Sequence, residues 1–127
     1  MKNIIETKNA PQAIGPYSQA VKISAGSMLF CSGQIPIDPA TGQIVEGIPE
    51  VQARQVMENL KAVIEAAGFT LEDVVKTTIY LKDMASFGVV NGVYESFFHG
   101  NYPTRSTVEV SALPRGVLVE IDAIACR

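Results

Sequence analysis

Two charged residues near the end of the chain, Arg105 and Glu120, have types and a spacing that suit chemistry on a small anion. Each lies in a segment of alternating polar and apolar residues, which is typical of a half-buried strand. If the two strands pair as a hairpin with their apolar faces matched, Thr107 lies opposite Glu120 and Arg105 lies opposite Asp122. Arg105 and Glu120 are then diagonal neighbours, roughly 7 Å apart at the backbone. They form either a cross-strand ion pair on a solvated face or, with the hydroxyls around them, part of a site.

Length and composition bound the class of protein. The 127 residues, 47% of them hydrophobic, suffice for one domain over residues 1–127 with a single core. The net charge is −3 and no basic run is present, so nucleic acid is not an expected partner. The apolar runs are too short to span a membrane and no signal segment opens the chain. We therefore expect a cytoplasmic protein without a membrane partner.

The sequence contains no motif for a metal or a cofactor. A solitary histidine, His99, and the lack of a Cys-x-x-Cys pair argue against a zinc site. No glycine-rich phosphate loop is present. Cys31 and Cys126 lie in apolar strand sequence, where we expect them to be core residues in a reducing compartment. Any reaction is therefore expected to need no metal and no cofactor.

Hydrophobic periodicity predicts the element order β-β-β-α-β-α-β-β. The predicted strands cover residues 2–6, 17–23, 28–33, 74–82, 103–110 and 117–126. The second and third strands are expected to form a hairpin around a Gly26–Ser27 turn, and a proline-punctuated loop follows over residues 34–42. The first helix begins at Pro49 and ends at Gly68, which are a favoured start and a favoured stop. Its predicted apolar stripe is Val56, Met57, Leu60, Val63, Ile64 and Ala67.

The second helix follows Asp83, which can cap it, and ends before Gly100. Its apolar stripe is Phe87, Val90, Tyr94, Phe97 and Phe98. One stripe on each helix is enough to cover one face of a single mixed sheet, which is an α+β fold. The other face is expected to carry, among apolar groups, Lys76, Tyr80, Arg105, Thr107 and Glu120. A face of this mixed polarity predicts a subunit interface that contains pockets.

Five motifs in a fixed order add a resemblance to this prediction. They are IGPYSQ at 14–19, SGQIP at 32–36, VNGVY at 90–94, PTRS at 103–106 and VEI at 119–121. Together, from about Asn9 to Ala125, they resemble the RidA (YjgF-like) family of reactive intermediate deaminases. The resemblance implies a homotrimer with a chorismate-mutase-like fold, in which the sheets face inward, the helices face outward and each cleft between subunits is a site.

The resemblance also implies a reaction and a set of site residues. Members hydrolyse short-lived enamines and imines, such as 2-aminoacrylate and 2-aminocrotonate, to 2-oxo acids and ammonia. Arg105 is then expected to bind the substrate carboxylate and Glu120 to hold the attacking water. The remaining pocket residues, some from the neighbouring subunit, are Tyr17, Ser32, Gly33, Phe87, Asn91 and Thr107. Many members have cysteine where this chain has Thr107, so a function that needs a thiol there is lost.

The chemistry of these residue types agrees with that reaction. Arginine offers a planar, permanently charged, bidentate partner for a carboxylate. An imine carbon is already electrophilic, so water needs orientation and a proton acceptor more than it needs a metal. A carboxylate near the anchor supplies both, and backbone groups around Thr107 are placed to hydrogen-bond the imine nitrogen.

Other interpretations stay open at this point. Each predicted pocket residue also has a structural interpretation. Tyr17 can be a packed aromatic residue, Ser32 can be a hydroxyl at a strand end, Asn91 can be a solvated amide, and Phe87 can belong to the core stripe of the helix. A non-catalytic sensor of small 2-oxo acids needs Arg105 but not Glu120. Endoribonuclease and chaperone activities have been attached to the family, but the acidic charge balance argues against RNA as the main ligand.

Overall fold

The computed structural model of the protein describes residues 2–24 and 26–127, and these form an α+β fold. The strands are β1 Lys2–Ile5, β2 Ala20–Ile23, β3 Met28–Gln34, β4 Ile37–Asp38, β5 Gln43–Ile44, β6 Val74–Leu81, β7 Thr104–Glu109 and β8 Val119–Cys126. The α-helices are α1 Pro49–Ala66 and α2 Phe87–Ser96. The predicted element order is confirmed, and the short hairpin of β4 and β5 is an addition that lies mostly in the predicted loop. No described helix is long and apolar enough to cross a bilayer.

The central sheet is mixed and has the strand order β3-β8-β6-β7. Strand β8 is antiparallel to both β3 and β6, whereas β7 is parallel to β6. Both predicted hairpins are therefore wrong, because β2 pairs with β1 and β7 does not pair with β8. The physical reason is the α2 crossover: a helix between two strands allows parallel pairing, and β6 then separates β7 from β8.

The register puts Arg105 and Glu120 on opposite faces of the sheet. Arg105 lies beside Thr77, which is buried under α2, whereas Glu120 lies opposite Tyr80 on the other face. The predicted diagonal neighbourhood of Arg105 and Glu120 within one chain is therefore wrong. The prediction matched the apolar faces of the two strands and therefore placed Val108 in the core. In the structure Val108 is 41% exposed.

The core lies between the helices and the covered face of the sheet. Helix α1 begins with Pro49 at its first turn, as predicted, and buries an apolar stripe made of Ala53, Val56, Met57, Leu60 and Ile64. Gln52 is also buried, and both ends of its side-chain amide are hydrogen-bonded: the nitrogen donates to the Val45 carbonyl and the oxygen accepts from the Leu118 amide. Val63, which the periodicity predicts to be buried, is exposed.

The other face of the sheet, which we call the open face, has no helix packed on it in the described part of the chain. Its residues, by strand register, include Met28, Phe30, Ser32, Lys76, Thr78, Tyr80, Ser106, Val108, Glu120, Asp122 and Ile124. Phe30 is 68% exposed and Met28 is 50% exposed. The predicted mixed polarity is confirmed for Glu120 and its neighbours, but Arg105 and Thr107 lie on the covered face instead.

Candidate active site

Arg105 extends from β7 into a group of aromatic rings on the covered face. Its guanidinium carbon lies 5.5 Å from the ring centre of Tyr17, 5.7 Å from that of Phe87 and 5.3 Å from that of Tyr94. One guanidinium nitrogen, Nη1, donates to the Asn91 side-chain oxygen. Cation–π contacts and one hydrogen bond therefore fix the guanidinium while most of its N–H groups remain available.

The segment before β2 carries Tyr17 to this position. The Tyr17 amide donates to the Gly15 carbonyl over 2.8 Å, which closes a tight turn. Ser18 then links this turn to the segment that precedes β7. Its amide donates to the Pro103 carbonyl and its hydroxyl donates to the Tyr102 carbonyl. The glycine- and proline-rich motif therefore fixes Tyr17 beside the start of the Arg105 strand.

The charge of Arg105 has no carboxylate partner among the described residues. Burial lowers the pKa of Arg105, while Tyr94 and Tyr17 raise it, and arginine stays protonated at neutral pH in either case. A partly buried cation without a counter-charge is costly, and an anion that fills the space beside it removes part of that cost. This environment is suited to binding a small carboxylate.

A cavity of about 250 Å³ opens beside the guanidinium. It is lined by Ile14, Gly15, Tyr17, Phe87, Asn91, Arg105 and Thr107. Tyr94 is fully buried and contacts the same guanidinium; its hydroxyl lies 2.8 Å from the Thr77 hydroxyl, and burial raises the pKa of Tyr94 to about 12. Tyr94 is therefore neutral at physiological pH and acts as an aromatic support for the cation.

Glu120 lies on the open face, close to the backbone of Gly33. A β-carbon added at Gly33 would overlap the Glu120 carboxylate, so any larger residue here would displace that carboxylate. Burial and the nearby Asp122 carboxylate both raise the pKa of Glu120. Asp122 accepts a hydrogen bond of 3.1 Å from the Tyr80 hydroxyl. The environment therefore makes Glu120 a better proton acceptor than an ordinary surface glutamate.

The sequence-predicted site residues thus fall into two groups. The cavity brings together Tyr17, Phe87, Asn91, Arg105 and Thr107, whereas Ser32, Gly33 and Glu120 lie around the open face. Phe87 is 37% exposed and faces Arg105, so its expected place in the helix core is wrong. Sequence reasoning missed the role of Tyr94 under the guanidinium. The signal was its spacing, because Tyr94 is one helical turn after Asn91.

Comparison with known proteins gives consistent matches over the whole chain. The family described as Endoribonuclease L-PSP matches residues 7–127. The 2-iminobutanoate/2-iminopropanoate deaminase of Salmonella typhimurium is 52% identical, over 100% of this chain and 99% of the relative. Escherichia coli TdcF, solved with bound serine, is 48% identical with a TM-score of 0.77 over 98% of each chain. RidA from an Antarctic Psychrobacter is 44% identical, also with a TM-score of 0.77, over 98% of this chain and 99% of that one.

Proposed function

We propose that this chain, which belongs to the RidA (YjgF, L-PSP) family, hydrolyses small 2-enamine and 2-imino acids to 2-oxo acids and ammonia. The observation that carries the proposal is the Arg105 guanidinium, which has no carboxylate partner in the described part of the chain and borders a small cavity. The name of the Salmonella typhimurium relative supplies the substrate class, and its 52% identity extends over the whole of this chain.

Arg105 is the substrate anchor in this proposal. The guanidinium N–H groups that Asn91 leaves free take the substrate carboxylate in a bidentate pair. The rings of Tyr17 and Phe87 bound the cavity and hold a planar imine against its wall. A cavity of about 250 Å³ suits an acid of a few carbon atoms.

Glu120 is the proton acceptor for the attacking water. Water adds to C2 of the imine while Glu120 takes one of its protons and passes it to the nitrogen, which gives a tetrahedral intermediate that carries a hydroxyl and an amino group on C2. Glu120 then takes the hydroxyl proton and gives it to the departing nitrogen, so the C2–N bond breaks and ammonia leaves. The oxygen of water remains as the oxo group and Glu120 is again ionised. An enamine enters the same route after C3 gains a proton and the nitrogen loses one, which gives the imine.

We further infer that two copies of the chain form each site, in a homotrimer whose open faces point inward. Within one chain Arg105 and Glu120 lie on opposite faces of the sheet, so only a second copy can bring a Glu120 carboxylate to the Arg105 cavity. Phe30 and Met28 support this inference, because large exposed apolar side chains on an uncovered sheet face are typical of an interface.

The test is competition for 2-iminobutanoate, generated in the assay by a threonine dehydratase, between this protein and semicarbazide. Wild-type protein is expected to suppress semicarbazone absorbance, whereas Arg105→Ala and Glu120→Gln variants are not. Exposed residues on α1 provide matched controls, Arg54→Ala and Glu58→Gln, which are expected to behave as wild type. Unchanged semicarbazone formation with wild-type protein would contradict the deaminase proposal.

A second candidate, a sensor of small 2-oxo acids, is favoured by one observation. The Arg105 cavity is formed within a single chain and does not include Glu120. Calorimetric titration with 2-oxobutanoate separates the two functions. Binding that requires Arg105, combined with no effect on semicarbazone formation, would identify a sensor rather than an enzyme.

A further inference from the structure

The Thr107 hydroxyl is buried and has no hydrogen-bond partner among the described residues. The other buried polar side chains in residues 2–24 and 26–127 are paired. Thr77 meets the Tyr94 hydroxyl, and Gln52 bridges two backbone groups. A buried hydroxyl that lacks a partner costs free energy, so such groups are rare and call for an explanation.

Thr107 lies at the wall of the Arg105 cavity. The two residues are two positions apart on β7, so their side chains extend to the same face, roughly 7 Å apart along the strand. A small acid whose carboxylate is bound by Arg105 therefore has its next atoms near Thr107. Rotation about χ1 between staggered positions is enough to turn a threonine hydroxyl toward such an occupant.

We propose that the Thr107 hydroxyl binds the heteroatom on C2 of the substrate, and so makes the cavity specific for 2-imino and 2-oxo acids over simple carboxylic acids. The hydroxyl donates to the imine nitrogen or to the oxo oxygen, which gives the hydroxyl its missing partner. It thereby also draws electron density from C2, the atom that water attacks. This inference rests on the proposed function, because it takes the ligand to be a 2-imino or 2-oxo acid.

Two ligands that differ only at C2 test the proposal by calorimetry. Both 2-oxobutanoate and butanoate offer the carboxylate to Arg105, but only the first has an oxygen on C2. We expect wild type to prefer 2-oxobutanoate, and Thr107→Val to lose about tenfold of that preference while its affinity for butanoate is unchanged. Thr107→Ser keeps a hydroxyl and is expected to retain the preference.

Thermal unfolding of the ligand-free proteins provides a second readout. Thr107→Val replaces an unpaired buried hydroxyl with a methyl group of similar shape, so the Tm is expected to stay equal or rise. A lower Tm would show that the hydroxyl already has a structural partner and would overturn the proposal.

The outcomes also separate this inference from the function on which it rests. If wild type binds neither ligand and leaves semicarbazone formation unchanged, the deaminase proposal fails and this inference fails with it. If wild type hydrolyses 2-iminobutanoate but Thr107→Val keeps the full preference for 2-oxobutanoate, the function stands and the role of Thr107 is wrong.

Discussion

The Arg105 cavity and the Glu120 region differ in how complete they are within one chain. The cation is enclosed by rings from the Tyr17 segment and from α2, and Asn91 fixes it. Glu120 lies on a face whose large apolar side chains, such as Phe30, are exposed. In the proposed function, substrate binding is therefore a property of one chain, whereas the proton transfer needs an assembly.

The topology explains why the two regions are separated. Helix α2 connects β6 to a parallel β7, so the edge strand that carries Arg105 passes under the helix that carries Asn91 and Tyr94. Strand β8 lies on the other side of β6 and alternates buried apolar residues with Glu120 and Asp122. The same sheet thus carries Arg105 on its covered face and the Glu120 and Asp122 carboxylates on its open face.

Disruption of the open face is expected to have the largest effect. Phe30→Asp places a charge on the proposed interface but leaves the core of the single chain intact, since Phe30 is mostly exposed. We predict a folded monomer without deaminase activity that still binds 2-oxobutanoate through Arg105. Sedimentation velocity, circular dichroism and calorimetry check the three parts.

Val89→Asp is the matched control for that variant, because Val89 is an exposed apolar residue on the helix side. It is expected to keep both assembly and activity. A Phe30→Asp protein that remains a trimer with wild-type activity would contradict the role of the open face.

Removal of the Glu120 carboxylate is expected to have the next largest effect. Glu120→Gln keeps the shape of the side chain but cannot accept a proton at neutral pH. We predict that kcat falls by about 100- to 10,000-fold, the range typical of a positioned general base. The affinity for 2-oxobutanoate, measured by calorimetry, should change little. Equal losses in affinity and in kcat would instead indicate that Glu120 is a binding group.

A smaller effect is expected from displacing Glu120 without removing it. Gly33→Ala adds a β-carbon where the Glu120 carboxylate lies, so the carboxylate must move. We predict a loss of up to about 100-fold in kcat, as for a catalytic group displaced by about 1 Å. Gly92→Ala is the control, since a β-carbon there meets no atom within 4 Å. Equal activities for the two variants would show that Gly33 does not position Glu120.

The smallest expected effect is a shift in pH dependence. Burial and Asp122 raise the pKa of Glu120, which must be ionised to accept a proton. Activity should therefore be present above this raised pKa and be lost as the pH falls through it. Asp122→Asn removes the neighbouring negative charge, lowers the pKa of Glu120, and should move the acidic limb of the kcat profile to lower pH. No movement would exclude Asp122 as a cause of the shift.

The sequence predicted the helices, the element order and the mixed face, because periodicity and capping residues act locally. Pro49 and the α1 stripe are examples. Pairing depends on contacts between distant segments, so the hairpin of β7 with β8 was wrong. Arg105 and Val108 extend to opposite faces of β7. Contrary to their polarity, Arg105 packs under the helix and Val108 is exposed. The parallel crossover through α2 was the signal that could have corrected this register.

Mixed assemblies test most directly whether the site is shared between copies. Arg105→Ala and Glu120→Gln chains, each inactive alone, are co-expressed with different tags and the mixed trimers are isolated. If each cleft joins Arg105 of one copy to Glu120 of the next, every mixed trimer has one intact cleft of its three and restores about a third of wild-type activity. Mixing Arg105→Ala with the double variant leaves no intact cleft and should restore none. Absence of recovery in the first mixture would contradict the shared site.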